Sequence, residues 1–301
     1  GWLADPLIGL PVLLVAWMAL ALLWSDPPEG PPSRWLWLWN CLCTLGFFLS
    51  TVHLARSPKG GSQLAATLIA AGTLNAAWAI GRFLAAGGIE ERMPGWAETR
   101  HPILGAAIIG LCLVLAAGRL PLARGAARLW LLAAVAVMAA FIWLTGSRGP
   151  LLATMAGCAV LLARLPRRWL LGGAAAAVLA VAAVHVYDPS IIGDFVRHLT
   201  ERGWSSRLDI WRQSLEMIRT QPLVGHGLTA LLPRAKDAFP HNLYLSTWLY
   251  AGAVGLALLI AALALTAHGL WRLPPGWERQ TLMALGVSGC LMGLTDLSQV
   301  V

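Results

Sequence analysis

Four side chains of the kinds that bind phosphate and transfer protons lie at the ends of apolar or amphipathic segments. Arg148 follows one segment in Thr-Gly-Ser-Arg-Gly-Pro, and Arg207 begins an amphipathic stretch. His241 precedes another apolar segment, and Asp296 follows the last one. A guanidinium group binds phosphate oxygens in bidentate fashion, and an imidazole is the most common general base in enzymes. These residue types suit a substrate that carries phosphates together with a hydroxyl group to be deprotonated, and a nearby carboxylate could orient the imidazole.

We expect neither a metal ion nor a cofactor at this site. Two arginines could stabilise a diphosphate leaving group without a metal. The sequence contains no Asp-x-Asp pair that could hold a divalent ion. The 5 cysteines lie in apolar segments without disulfide or metal-knuckle spacing, so we interpret them as small hydrophobic core residues.

Each of the four residues also has a plain structural interpretation. Arg148 could extend from a span end towards the headgroups, and Arg207 could be a solvated residue in a first helical turn. His241 could be an interfacial polar residue after Pro240, and Asp296 could only satisfy a helix end. Individually these signals are weak, and their common position gives them weight.

The composition indicates the elements that must position these residues. Of the 301 residues, 58% are hydrophobic and 12% are charged, and the mean hydropathy is +0.68. Such a chain is too apolar for a soluble domain. The net charge of +8 comes from basic residues that are dispersed over short loops, a pattern that argues against nucleic-acid binding. We therefore predict an all-α polytopic integral membrane protein solvated by membrane lipids.

Nine apolar segments are candidate membrane spans, because a helix needs about 20 apolar residues to cross the hydrocarbon core. Many of the 16 tryptophans, such as Trp24 and Trp271, fall near span ends, as in an interfacial aromatic belt. We predict a single transmembrane domain over residues 1–301, with a periplasmic loop inserted at 188–240. The spans lie near 7–24, 35–54, 64–84, 103–117, 129–144, 151–165, 169–187, 243–267 and 281–297.

Basic residues in short loops predict the orientation, because retained Lys and Arg mark the cytoplasmic side. The opposite loops mix acidic and basic residues and are therefore periplasmic. This topology puts Arg148, Arg207, His241 and Asp296 on the periplasmic face. The basic set, against the single acid Glu278, is Arg56, Lys59, Arg119, Arg124, Arg128, Arg164, Arg167, Arg168, Arg272 and Arg279.

The long periplasmic loop contains a predicted helix. Ser206 and Asp209 have the spacing of a capping box at its start. Pro222 ends the helix, and Gly225-His226-Gly227 makes a turn. The apolar residues along this helix are Trp211, Leu215 and Ile218.

Taken in order, these motifs resemble the O-antigen ligase and polymerase superfamily over about residues 95–297. The resemblance implies a helical bundle of the GT-C type in the bacterial inner membrane, with the active site on its periplasmic face. It further implies transfer of a glycan from undecaprenyl pyrophosphate to a hydroxyl of lipid A-core. The motifs are Thr145-Gly146-Ser147-Arg148-Gly149, Ser206-Arg207 with Trp211, Pro222-Leu223-Val224-Gly225-His226-Gly227, and His241-Asn242-Leu243-Tyr244-Leu245 running into Gly252 and Gly255.

The resemblance also implies roles for single residues. Arg148 and Arg207 bind the pyrophosphate, and His241 is the base or aligns the acceptor. Members of the family usually have more spans than the nine predicted here, so we expect that segments are missing at the termini. Further substrate-binding candidates are Trp211, Asp296, Arg100 and His101.

Three other functions, and a purely structural role as a membrane scaffold, stay open at this stage. An O-antigen polymerase and a protein O-oligosaccharyltransferase share the arginine and histidine motifs and differ from a ligase in the acceptor. A single dominant periplasmic loop favours the ligase. A transporter of lipid-linked glycans belongs to another class, and it would be insensitive to substitution of His241.

Overall fold

A computed structural model of the chain describes residues 5–25, 34–87, 93–96, 100–166, 182, 186, 205–230, 232 and 240–295. The chain divides into two compact units. The first unit comprises Gly1–Ala66, Trp204–Leu273 and Gly293–Val301, and the second comprises Thr67–Gly203 and Pro274–Met292. The predicted periplasmic loop at 188–240 falls within the described ranges only at 205–230, 232 and 240.

The prediction of an all-α polytopic membrane protein is confirmed within these ranges. Eight of the nine predicted spans coincide with a helix, and the ninth, 169–187, lies outside the described residues except at 182 and 186. The helices in chain order are α1 (Pro6–Ala21), α2 (Arg34–Ala55), α3 (Pro58–Ala85), α4 (Pro102–Arg119), α5 (Gly125–Leu144), α6 (Arg148–Leu162), α7 (Ser205–Thr220), α8 (Leu243–Arg272) and α9 (Trp277–Thr295).

Within the described ranges, five helices are long and apolar enough to cross a membrane, namely α2, α3, α4, α5 and α8. Helices α1 and α6 are apolar but have only 16 and 15 residues. The predicted helix in the periplasmic loop is α7, and it ends at Thr220, two residues before Pro222. A proline disfavours helical geometry in the residue before it, which explains this end.

Small residues bring α4, α6 and α9 together in the second unit. A Cβ on Gly157 would lie 2.1 Å from Ser288 Oγ, and a Cβ on Gly110 would lie 2.2 Å from Thr154 Oγ1. Ser288 Oγ donates a hydrogen bond to Ala153 O at 2.8 Å. Lipid offers little hydrophobic driving force between helices, so such close backbone approach and hydrogen bonds between helices hold the unit together.

Helices α4 and α6 run in the same direction. Gly110 of α4 faces Thr154 of α6, and further along both helices Val114 faces Gly157. The first residues of α4 and α6 therefore lie at the same end of the second unit.

In the first unit, α1 runs antiparallel to α8. Leu7 Cδ1 lies 3.8 Å from the position of a Cβ on Gly269, near the end of α8. At the other end of α1, Trp17 Nε1 donates to Ala251 O at 2.7 Å. The buried core of this unit includes Met18, Leu22, Cys41, Ile218, Leu228, Leu249 and Tyr250.

Helix α8 is broken at Gly252, where φ is 67° and ψ is −171°. Residues 222–227, here called the splice loop, pack into the break and supply partners for backbone groups on both sides of it. The bonds are His226 N to Leu249 O (2.8 Å), Gly227 N to Tyr250 O (2.9 Å), Ala253 N to Pro222 O (2.9 Å) and Val254 N to Leu223 O (3.4 Å).

The approach of the splice loop to α8 requires glycine at two positions. A Cβ on Gly252 would lie 2.1 Å from Leu223 O, and a Cβ on Gly225 would lie 2.5 Å from the Gly252 nitrogen. Both residues also have positive φ, 67° and 73°. The backbone of Gly252 lies in a region that only glycine adopts readily.

We predict that Gly252→Ala lowers the free energy of unfolding by at least about 2 kcal/mol, because backbone strain and overpacking add. Thermal unfolding in detergent will measure the change. Gly46→Ala in α2 is the matched control, since a Cβ there meets nothing within 4 Å, and alanine favours a helix. Equal stability of Gly252→Ala and the wild type would contradict this account of the break.

Candidate active site

Arg207 lies on the inner face of α7, the face that packs against the core of the first unit. Arg207 is half-buried, whereas Arg212 and Arg219 of the same helix are exposed. The predicted apolar residue Leu215 is 42% exposed and so lies off this face, whereas Ser214 is buried and donates to Ile210 O at 2.8 Å. The inner face consists of Arg207, Ile210, Trp211, Ser214, Met217 and Ile218.

Trp211 links this face to the segment that carries His241. Its Nε1 donates to Pro240 O at 2.8 Å, and His241 is the next residue. Residues four apart on a helix have Cβ atoms about 6 Å from each other, so Arg207 lies one turn from Trp211 on the same face. One indole ring thus attaches the helix that carries Arg207 to the segment that carries His241.

His241 has an unusual backbone conformation for a residue other than glycine. Its φ is 50°, the only positive value among the described residues that are not glycine. Histidine tolerates this left-handed region better than most residues, yet such a conformation persists only where the surroundings hold it. The next residue provides this support, because Asn242 Oδ1 caps α8 by accepting from Leu245 N at 3.1 Å.

Arg148 is the first residue of α6, after a tight turn that follows α5. Thr145 is fully buried and donates through Oγ1 to Ile142 O at 2.8 Å, and Gly146 takes a φ of 59°. Ser147 is the N-cap residue, and its carbonyl accepts from Leu151 N at 3.1 Å. With Thr145 and Ser147 both buried, the turn holds the half-buried Arg148 at one end of the second unit.

Arg100 and His101 lie at that same end, because α4 and α6 run in the same direction and His101 is the N-cap residue of α4. Both residues are exposed. A neighbouring segment is fixed to this end by Met93, which is fully buried and donates through its N–H to Leu144 O at 3.4 Å. Three basic side chains therefore collect at one end of the second unit.

The predicted site residues are divided between the two units. Arg207, Trp211 and His241 belong to the first, whereas Arg148, Arg100 and His101 belong to the second. Asp296 lies outside the described residues, so its role stays a prediction. That all of these residues serve one substrate also stays a prediction.

Sequence reasoning missed the role of His226, which it treated only as part of a turn. The ring nitrogen Nε2 lies 2.8 Å from Met217 O and 3.2 Å from Thr220 Oγ1 in the last turn of α7. A carbonyl only accepts, so the ring donates to Met217 O. The backbone N–H of the same residue donates to Leu249 O in α8. His226 therefore ties the end of α7 to the break in α8.

The chemistry available at these positions is anion binding and proton transfer. Arginines offer fixed positive charge to phosphate oxygens, and His241 offers a nitrogen that can accept a proton. Within the described ranges, no three His, Cys, Asp or Glu side chains are grouped as metal ligands.

Comparison with known proteins gives two consistent results. A family model described as O-Antigen ligase matches residues 133–260. A protein of Pseudomonas aeruginosa named O-antigen ligase is 27% identical over 289 residues, which cover 90% of this chain and 67% of that relative. The range matched by the family contains Arg148, Arg207 and His241 but not the three outlying candidates, which are Arg100, His101 and Asp296.

We predict that His226→Ala loosens the end of α7, because it removes a hydrogen bond worth about 1 kcal/mol. Hydrogen–deuterium exchange of the amides at 217–220 is expected to accelerate several-fold. His226→Gln is the control, since its amide nitrogen can still donate to Met217 O. Unchanged exchange in His226→Ala would show that the ring does not hold the helix.

Proposed function

From these two similarities we infer that the chain is a member of the O-antigen ligase superfamily and a glycan-transferring enzyme that ligates O-antigen. We propose that the donor is a glycan on undecaprenyl pyrophosphate and that the acceptor is a sugar hydroxyl of lipid A-core. The observation that carries the proposal is the hydrogen bond from Trp211 Nε1 to Pro240 O, because it sets the helix of Arg207 beside His241.

The proposed reaction is one displacement at the anomeric carbon of the donor sugar. The acceptor oxygen forms a bond to this carbon while the bond to the diphosphate oxygen breaks. The acceptor proton passes to the imidazole of His241. The products are the ligated glycan and undecaprenyl pyrophosphate, and attack from the face opposite the leaving group inverts the anomeric configuration.

Arg207 stabilises the negative charge that develops on the departing diphosphate. A guanidinium group binds two phosphate oxygens at once and does not lose its charge, so no divalent ion is required. Its half-buried position strengthens this interaction, because the charge is less screened than at the exposed Arg212. We propose Arg148 as the second diphosphate ligand, with Trp211, Arg100, His101 and Asp296 in supporting contacts to the substrates.

The proposed location is the bacterial inner membrane, with the reaction on its periplasmic face. The support is the distribution of charge, because retained Lys and Arg mark the cytoplasmic side. The loop between α4 and α5 contains Arg124, and the turn between α8 and α9 is flanked by Arg272 and Arg279 against the single acid Glu278. The loops that carry the candidate site residues lie at the opposite ends of these helices.

The function is tested by incubating the purified protein with undecaprenyl-pyrophosphate-linked glycan and lipid A-core. Ligated product is expected, and His241→Ala is expected to lower kcat/KM by about 10²–10⁴-fold, the usual contribution of a general base. Addition of EDTA should leave the rate unchanged. Nuclear magnetic resonance of the product reports the anomeric configuration.

Four outcomes of this assay would contradict the proposal. Full activity of His241→Ala would show that His241 is not the general base. A retained anomeric configuration would exclude a single displacement. Transfer only to a second glycan repeat would show that the protein is a polymerase. Transfer only to a protein hydroxyl would show that it is a protein glycosyltransferase.

A second prediction compares two arginines of the same helix. Arg207→Lys is expected to lower kcat/KM by about 10–100-fold, because the bidentate contact is lost and a hydrogen bond to a charged group contributes about 1.5–3 kcal/mol. Arg212→Lys is the matched control on the exposed face and should retain full activity. Equal effects of the two substitutions would show that the inner face of α7 does not contact the donor.

A further inference from the structure

The length of α8 exceeds what a membrane span requires. Its 30 residues extend over about 45 Å, whereas the hydrocarbon core is about 30 Å thick. The break at Gly252 divides the helix unequally. Residues 253–272 are 20 in number and match the core thickness at about 30 Å, and residues 243–251 are left over.

Polar side chains are concentrated in the shorter part. Residues 243–251 contain Tyr244, Ser246 and Thr247, and Asn242 precedes them. In residues 253–267 the only polar side chain is Thr266, which donates to Ala262 O at 2.8 Å within the helix. The composition of α8 therefore changes at the break as it would at a membrane boundary.

Tryptophans lie at both ends of the longer part. Trp17, Trp24 and Trp248 donate through Nε1 to carbonyls around the break. At the other end Trp271 is 70% exposed and precedes Arg272. Indole rings favour the interface between hydrocarbon and water, so the three tryptophans at the break and Trp271 at the other end mark the two surfaces of the bilayer. The acceptor carbonyls of the three tryptophans at the break are Ala251 O, Gly225 O and Pro222 O.

The tip of the splice loop exposes apolar side chains beside the break in α8. Leu223 is 67% exposed and Val224 43% exposed, next to Val254 of α8 at 41%. Leu223 and Val254 are direct neighbours, since Val254 N donates to Leu223 O. The tip is therefore continuous with the exposed apolar surface of the membrane-spanning part of α8. Two carbonyls of the tip, Pro222 O and Leu223 O, accept hydrogen bonds from α8, which reduces the cost of placing them in lipid.

We propose that the break at Gly252 marks the outer boundary of the hydrocarbon core and that Leu223 and Val224 insert among the acyl chains of the outer leaflet. The sequence placed the start of this span at residue 243, so the boundary moves nine residues along the helix. The segment 243–251 then projects up to about 13 Å from the core. His241 lies above the acyl chains, at the level of headgroups and sugars. This inference does not depend on the proposed reaction; only the assignment to the outer leaflet rests on the proposed orientation.

The test measures the depth of spin labels in phospholipid nanodiscs that lack any donor lipid. The background carries Cys43→Ala, Cys158→Ala and Cys290→Ala, which leaves only the buried cysteines Cys41 and Cys112. Single cysteines at Leu223, Val224 and Val254 then receive a nitroxide. Leu208→Cys on the exposed face of α7 is the matched control. Thermal unfolding in the same nanodiscs verifies that each variant is folded.

Labels at 223, 224 and 254 are expected to collide with oxygen several-fold more often than the label at 208, and several-fold less often with a water-soluble nickel chelate. Two results would overturn the proposal. If the labels at 223 and 224 collided readily with the nickel chelate, the tip would lie in water. Protection of these labels by added donor lipid would not change that conclusion. If the labels at 208 and 223 had equal accessibility to oxygen and to the nickel chelate, the boundary of the hydrocarbon core would lie at the start of α8.

Discussion

A broken helix in or near lipid must find partners for the backbone groups that it releases, and this requirement governs the first unit. Each unpaired group costs several kcal/mol in hydrocarbon. At Gly252 the released groups of α8 bond to the splice loop and, at Ala251 O, to the indole of Trp17. The splice loop can approach because Gly225 and Gly252 lack side chains. One backbone break thereby joins α1, α7 and α8.

The attachment of the splice loop to α8 also determines where the candidate site forms. Helix α7 is held at its end by the ring of His226 and in its first half by the indole of Trp211. Two fixed points on one face prevent the helix from turning about its axis. Arg207 shares that face and is therefore directed inwards, while Arg212 is not. Gly225-His226-Gly227, which the sequence predicts only as a turn, therefore helps to orient Arg207, 19 residues earlier in the chain.

Local signals in the sequence predicted much of this fold. Apolar segments gave eight helices, and Pro222 and the two glycines around His226 gave the end of α7 and the turn after it. The pairing of 222–227 with 249–254 was not predictable, because hydrogen bonds between distant backbone segments leave no periodic pattern. Leu215 was misplaced on the apolar face for a related reason. A buried serine, satisfied by Ile210 O, occupies the position that hydrophobic periodicity would reserve for an apolar residue.

The two units hold their helices together in different ways. Each way is compatible with the candidate residues that the unit carries. In the second unit, glycines bring α4, α6 and α9 into close contact. In the first unit, hydrogen bonds from indoles and loop amides connect irregular backbone. Irregular backbone can place a residue such as His241 at a positive φ, where a continuous helix could not. In the proposed reaction, Arg148 acts as a fixed cation at a helix end, whereas His241 as a base must be oriented towards a hydroxyl. The irregular backbone at the start of the broken α8 would provide that orientation.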